Sequence, residues 1–249
     1  MSALLEPYAP LHVLKPFGEE LWIADGGVIE MSYGPTSMPF TTRMVVARLP
    51  GGKLWLWSPV EAEPALVAEV EALGEVAHLV SPNAIHYAHL PAWAERFPAA
   101  RVWASPGVRA RAESQGIAVP FTDDLDERAP EAWTGAIDQV IFHGSRMIEE
   151  VVFFHRESRT LVLADLIENF APERVHWPLF RLLLRVAGTL APRGRLPLDL
   201  RLSYLGRHAQ AREALAVMKG WAPERIVVAH GDCFESGGAA ELERAFSWV

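Results

Sequence analysis

The sequence predicts an α/β fold, and three features support this prediction. Short apolar, β-branched runs typical of strands alternate with segments of helical periodicity along the 249 residues. Half of the residues are hydrophobic, which is enough to bury a large core. Polar side chains follow several of the strands, where layered α/β folds usually place their sites. No repeat or linker divides the chain, so we expect a single domain spanning residues 1–249.

The first sixty residues favour strands. Pro50-Gly51-Gly52 is a good hairpin signal, and it joins the last two of the four runs. The predicted strands cover residues 20–24, 28–31, 43–49 and 53–57.

Helices and strands then alternate. Residues 60–73 carry helical spacing and end at Gly74, which is typical of a helix C-terminus. The next elements are a strand at 76–80, a short helix at 91–97 and a strand at 101–104.

The C-terminal half repeats this alternation. We expect a strand at 139–142, a hairpin over 151–165, a mainly helical insertion at about 167–220, a buried strand at 225–229 and a closing helix at 238–248.

Residues 177–191 form the most apolar predicted helix, interrupted only by Arg181 and Arg185. The stretch is shorter than the roughly 20 residues that cross a bilayer, so no membrane span is expected. We expect this helix to pack on its own domain. A homodimer contact or a lid over a pocket are the alternatives, and attachment to a membrane surface is the least favoured.

Charge and cysteine content exclude several classes of function. A net charge of −8 without long runs of one sign provides no basic surface for nucleic acid or an anionic membrane. The single cysteine, Cys233, excludes an intramolecular disulfide framework and a multi-cysteine zinc site. The N-terminal residues lack the pattern of a signal peptide, so the expected location is the cytoplasm.

Three candidate metal ligands follow predicted strands. His86 comes after strand 76–80, Asp165 ends the hairpin, and His230 ends strand 225–229. Imidazole and carboxylate are ligand types that suit zinc, iron or manganese. Each residue also has a structural interpretation, since a lone histidine is more often a hydrogen-bonded structural group and an aspartate often caps a helix.

Other polar residues nearby are weaker candidates. Asn83 and His89 could add an oxygen and a nitrogen ligand, or Asn83 could cap the turn after Pro82 and His89 could pack at a helix start. Glu149 and Glu150 are expected to be solvated, with a role beside the metal as the alternative.

The segments SPNAIHYAH, VVFFHRESRTLVLAD and RIVVAHGD, in their order and spacing, resemble the metallo-β-lactamase superfamily. That resemblance implies an αββα four-layer sandwich of two mixed sheets. The segments LKPFGEELWIADG, SYGPTSMPFTTRMVV and PNAIHYAHLPAW are similar to an uncharacterised branch of it, known only as a domain of unknown function.

The sequence departs from the superfamily at its first motif. Active members carry His-x-His-x-Asp-His after the strand, whereas residues 81–87 read Ser-Pro-Asn-Ala-Ile-His-Tyr, so the first two histidines have no counterpart. By resemblance, Asp165 matches the metal-bridging aspartate, His230 matches the final histidine, and His143 lies near the middle histidine.

Together these features suggest a hydrolase of esters, amides or phosphoesters that uses a single zinc or iron ion. Asp165 and His86 would be its catalytic residues, acting on a small-molecule substrate that the sequence does not identify. The alternative is a metal-free member of the superfamily that acts as a binding protein. A redox enzyme is the third interpretation, with the single cysteine and the missing flavodoxin-like domain against its flavin-linked form.

Overall fold

The computed structural model describes residues 4–33 and 36–249, which form two β-sheets and their flanking helices. The larger sheet has seven strands in chain order. These are β1 (Lys15–Gly18), β2 (Leu21–Tyr33), β3 (Thr36–Arg48), β4 (Lys53–Trp57), β5 (Glu75–Val80), β6 (Arg101–Ala104) and β7 (Asp123–Asp124). Strands β1 to β4 pair antiparallel, and β4 to β7 pair parallel.

The smaller sheet has four strands in the order β11-β10-β9-β8. They are β8 (Ile137–Phe142), β9 (Glu150–His155), β10 (Thr160–Leu163) and β11 (Arg225–Val228). The predicted hairpin over 151–165 is confirmed, since β9 and β10 pair antiparallel. Strands β10 and β11 are parallel neighbours, so their C-terminal ends lie at the same edge of the sheet.

The two sheets face each other across an aromatic and aliphatic core. Val45 and Trp55 of the larger sheet pack with Val151 and Phe153 of the smaller one, all buried. The rings of Trp55 and Phe153 meet edge to face with centroids 5.0 Å apart, a favourable aromatic geometry.

Helices cover the outer face of each sheet. Helices α1 (Pro64–Leu73), α2 (Leu90–Arg96) and α3 (Val108–Ser114) pack on the larger sheet, and α6 (His208–Gly220) and α7 (Gly238–Ala245) pack on the smaller one. The layers are therefore αββα, as expected.

The structure differs from the predicted elements mainly at the N-terminal strands. The two expected strands at 20–24 and 28–31 are one strand, β2, which continues through an irregularity between Asp25 and Val28. Strands β1 and β7 and helix α3 were not predicted, since each is short and lacks a clear periodic pattern.

The region 167–220 is mainly helical. It contains a 3₁₀ turn (Pro172–Arg174), α4 (Pro178–Ala187), α5 (Leu198–Ser203) and α6. Helix α4 buries Phe180 and Leu184 beside Phe40 and Phe170. Its other large apolar side chains, Leu179, Leu182, Leu183 and Val186, are more than half exposed.

Within the part of the chain that the structure describes, no helix combines the length and the hydropathy that a membrane crossing requires.

Candidate metal centre

Three of the predicted ligands meet between the sheets. His86 lies in the loop after β5, Asp165 follows β10, and His230 follows β11. Their ligand atoms all lie within 4.8 Å of one another. The parallel pairing of β10 and β11 explains why Asp165 and His230 are neighbours, and the facing sheet contributes His86. His89 and His143 do not belong to this cluster.

Asp165 is the centre of the cluster. Its Oδ1 lies 3.0 Å from His230 Nε2, and its Oδ2 lies 3.4 Å from His86 Nε2. Burial acts to raise the pKa of Asp165, but His86 and His230 outweigh burial and hold that pKa far below its ordinary value. The carboxylate is therefore charged and available to a cation.

His230 presents a lone pair to the cluster. Its Nδ1 donates a hydrogen bond to the carbonyl oxygen of Thr41 at 2.5 Å, which leaves Nε2 unprotonated in the neutral ring. Nε2 is buried and makes no hydrogen bond within the described residues. A lone pair and a carboxylate oxygen 3.0 Å apart repel unless a proton or a metal ion lies between them. The donor set therefore fits a divalent metal ion.

His86 is oriented from its other ring nitrogen. Its Nδ1 lies 2.8 Å from Ser58 Oγ, so Nε2 points at Asp165. This arrangement is usual for metal-binding histidines, whose second nitrogen is fixed by a hydrogen bond. Burial lowers the pKa of His86, but the charge of Asp165 raises it above its ordinary value on balance.

Asn83 contacts Asp165 through its amide nitrogen. Nδ2 donates to Asp165 Oδ2 at 2.6 Å, while Oδ1 accepts the backbone N–H of Ile85 at 3.0 Å. The side-chain oxygen that was expected to bind metal is thus used to shape the loop after β5. In this arrangement Asn83 positions the carboxylate of Asp165.

Glu150 holds the main chain that carries Asp165. It accepts the backbone N–H groups of Ala164 and Asp165, each at 2.7 Å. The expectation that Glu150 is solvated is wrong, because it is only 2% exposed. Burial and the charge of Asp165 raise the pKa of Glu150 to about 7.

The two remaining candidate histidines point elsewhere. His89 Nε2 lies 3.8 Å from Glu61, and His143 lies between Glu127 and Glu149, 2.5 Å and 2.6 Å from their carboxylate oxygens.

Backbone contacts fix the turn that carries His230. The carbonyl oxygen of His230 accepts the N–H of Asn169 at 2.9 Å, and Asp232 N–H donates to Asn169 O at 2.8 Å. At Gly231, with φ of 105°, a Cβ atom would lie 2.1 Å from Asn169 O, so only glycine allows this close approach.

A buried arginine clamps the same turn from the larger sheet. Arg43 Nη1 donates to the carbonyl oxygens of Val228 and Gly231 at 2.6 Å and 2.7 Å, and Nη2 pairs with Asp25 at 2.6 Å. The two sheets are thus tied together directly beside the site.

Ser58 and Thr41 were not identified as site residues from the sequence, and a role for Glu150 beside the metal was only the less favoured alternative. Ser58 follows β4, the parallel neighbour of β5, so the strand-end argument used for His86 applies equally to it. Thr41 acts through its carbonyl oxygen, which the identity of its side chain does not reveal.

The centre opens into a cavity of about 410 Å³ that Asp165 lines. Met147, Ile148 and Ile85 form apolar walls, and Arg111 of α3 adds a positive charge. The size is that of a small-molecule site.

Solved metallo-β-lactamases have the same fold. The chain superposes on the DIM-1 enzyme with a TM-score of 0.62 at 12% identity, covering 98% of this chain and 100% of the other. For the enzyme from Hirschia baltica the TM-score is 0.60 at 13% identity, covering 95% and 96%. For the mono-zinc form of FIM-1 from Pseudomonas aeruginosa it is 0.57 at 13% identity, covering 95% and 93%. The fold is that of a metallo-β-lactamase-like protein.

Residues 28–177 match the family model described as a domain of unknown function, DUF4336, so the chain belongs to that family. Comparison with curated proteins gives no match.

Proposed function

We propose that this protein is a metal-dependent hydrolase with a single zinc or ferrous ion held by His86, Asp165 and His230. The observation that carries the proposal is the convergence of three ligand atoms within 4.8 Å, with the buried Nε2 of His230 facing a charged carboxylate. Two histidines and one carboxylate form a ligand set found in catalytic zinc and iron sites, with coordination positions left open. FIM-1, which shares the fold, has a mono-zinc form.

The reaction class that we propose is hydrolysis of an ester, amide or phosphoester. A divalent ion supplies a Lewis acid that polarises the substrate oxygen and lowers the pKa of bound water to about 7. Asp165, which lines the cavity and has two carboxylate oxygens, would accept the proton, and His86 would hold that carboxylate in place. Asn83 and Ser58 hold these two side chains in place.

Metal content is the first test. Wild-type protein purified without chelator and supplemented with zinc or ferrous iron should contain close to one ion per chain by elemental analysis. His230→Ala and Asp165→Ala should lose it, with circular dichroism showing that the fold survives. His143→Ala is the matched control, because His143 lies outside the cluster, and it should retain the metal.

A wild-type content below about 0.1 ion per chain would refute the proposal, since such a ligand set should hold these metals well. The binding-protein interpretation would then replace it.

Activity is the second test. A panel of esters, lactones, thioesters and phosphodiesters should show slow turnover, because a single ion lacks the second cation that stabilises a leaving oxygen. The rate should rise through neutral pH, because water bound to such an ion has a pKa of about 7. His86→Ala should abolish both the turnover and the rise. Turnover equal in wild type and His86→Ala would refute the hydrolase assignment.

A further inference from the structure

An apolar groove runs between α4 and α5, on the side of the molecule where α4 leaves its leucines uncovered. Its volume is about 310 Å³. The walls are Leu183 and Val186 of α4, Leu198 and Leu202 of α5, and Met38 and Phe40 of β3.

This groove adjoins the cavity at the metal centre. Phe40 and Glu168 line both spaces. The ring of Phe40 also packs against His230, with centroids 5.2 Å apart. A molecule bound at Asp165 in the cavity therefore has the groove directly beside it, on the other side of Phe40 and Glu168. Each volume lies at the lower end of the range for ligand pockets, roughly 300–1,000 Å³.

The groove side chains are unusually exposed for their type. Leu183 is 51% exposed, Val186 63% and Leu202 52%. One exposed leucine needs no explanation, but several that line one groove leading to a polar centre are typical of a site that binds an apolar group.

Besides Asp165 and Glu168, one charged side chain lines each space: Arg111 lines the cavity and the exposed Asp199 lines the groove. Arg111 lies on the wall of the cavity beside Asp165, away from the groove. At the junction, burial raises the pKa of Glu168 well above its ordinary value, with further contributions from Asp165 and Asp199. A shift in this direction favours the uncharged form of Glu168, which opposes an apolar chain less than a carboxylate does.

We propose that the α4–α5 groove binds the hydrocarbon chain of an amphiphilic substrate, a medium- or long-chain carboxylic ester whose acyl carbon lies at the His86, Asp165 and His230 centre. The reaction assigned to the ester rests on the proposed function, whereas binding of the chain does not. Hydrolysis joins the water oxygen to the acyl carbon, breaks the bond to the alcohol oxygen and transfers one water proton to that alcohol. The products are a fatty acid and an alcohol.

Binding of the fatty acid product tests the groove without turnover. We would titrate the full chain with sodium hexanoate, octanoate and decanoate by isothermal titration calorimetry, with zinc and again with EDTA. Affinity should increase about four-fold for each added methylene until the groove is filled, as expected for burial of a CH₂ group. The increase with chain length should persist in EDTA, because the chain does not contact the metal.

Matched variants locate the binding. Leu183→Gln and Leu202→Gln, which place an amide in the groove, should each weaken decanoate binding by about ten-fold. Leu179→Gln and Leu205→Gln change side chains that are 58% and 54% exposed but do not line the groove, so they should bind decanoate like the wild type.

The outcomes separate this inference from the proposed function. If chain length controls fatty acid binding but neither p-nitrophenyl acetate nor p-nitrophenyl decanoate is hydrolysed, the groove assignment holds and the hydrolase assignment fails. If both esters are cleaved with equal kcat/KM and fatty acids do not bind, the groove assignment is overturned and the hydrolase remains. A change from dimer to monomer in Leu183→Gln by light scattering, without any chain-length effect, would also overturn it and make the groove a contact between two copies.

Discussion

The loop after β5 and the loop after β11 each bring a histidine to Asp165, but by different means. His230 is fixed by the main chain: its ring donates to the Thr41 carbonyl, its own carbonyl accepts from Asn169, and Arg43 clamps the adjoining turn. Apart from its contact with Asp165, the His86 ring is held by one hydrogen bond, with Ser58.

This difference shows where the site is rigid. The β11 loop is part of a hydrogen-bonded network that also joins the two sheets, so its geometry is inseparable from the fold. The position of His86 depends on a single hydroxyl group and on the loop that Asn83 shapes. Changes near His230 should therefore affect stability, and changes near His86 should affect metal affinity.

The largest expected effect follows removal of the clamp. Arg43→Met leaves the carbonyl oxygens of Val228 and Gly231 without their donor and Asp25 without one of its cations, so it should lower the free energy of unfolding by about 3–5 kcal/mol. Urea denaturation measures this loss.

Arg48→Met, on the same strand, is the control. Arg48 pairs with Glu20 near the surface, where both side chains are about one-third exposed and water screens the pair, so the loss should be much smaller than that of Arg43→Met. Equal losses in the two variants would contradict the role given to Arg43.

On the His86 side, Ser58→Ala should weaken zinc binding by about 10- to 100-fold in a chelator competition assay, because the ring of His86 loses the contact that orients it. Ser58 has a φ of 46°, a left-handed conformation that glycine adopts more readily than alanine.

Ser58→Gly should therefore be more stable than Ser58→Ala, while both bind zinc equally weakly. Normal zinc affinity in either variant would show that the Ser58 hydroxyl does not position His86.

The fold could be predicted from the sequence because most of its strands are apolar runs separated by turn residues. The VVFFH and TLVLAD runs predicted the β9–β10 hairpin, and the Pro50-Gly51-Gly52 turn predicted the pairing of β3 with β4. The two-residue β7 and the irregularity within β2 carry no such pattern, since they depend on pairing with neighbours distant in sequence.

The candidate site could be predicted from the sequence only in part. Strand-end positions indicated His86, Asp165 and His230, and the structure brings these three together. Spacing did not reveal that the oxygen of Asn83 is used by Ile85 N–H, nor that Glu150 is buried, because both depend on how the loop after β5 meets β9.

Two buried histidines that lack a carboxylate partner, His78 and His155, have pKa values shifted in the direction opposite to that of His86. Burial lowers the pKa of His78 and His155 to about 4, and Arg101 and Lys53 add to the effect at His78. Between pH 4 and 6.5 the unfolded chain then binds more protons than the folded chain, so stability is complete above about pH 6.5 and decreases as the pH falls. From pH 7.5 to 5.5 the loss should be roughly 1 kcal/mol for each histidine.

Urea denaturation of the EDTA-treated protein across this range measures the slope. Glutamine keeps a hydrogen-bond acceptor for Trp103 N–H and Ser158 N–H without taking up a proton, so a His78→Gln, His155→Gln double variant should have a shallower slope. Parallel curves for wild type and variant would contradict this account.

The smallest effect is expected at His89, which lies three residues from His86 and is a weaker candidate ligand in the sequence. Its ring faces Glu61 at 3.8 Å and is 24% exposed, whereas the His86 ring faces Asp165 and is 9% exposed. His89→Ala should therefore leave zinc content and affinity at the wild-type level, and should cost at most about 1 kcal/mol of stability, as for a partly exposed pair. His86→Ala, tested in parallel by elemental analysis and urea denaturation, should lose zinc while remaining folded. If His89→Ala lost zinc as His86→Ala does, the loop after β5 would have to bind the metal in a conformation different from the one described, with both histidines turned toward Asp165.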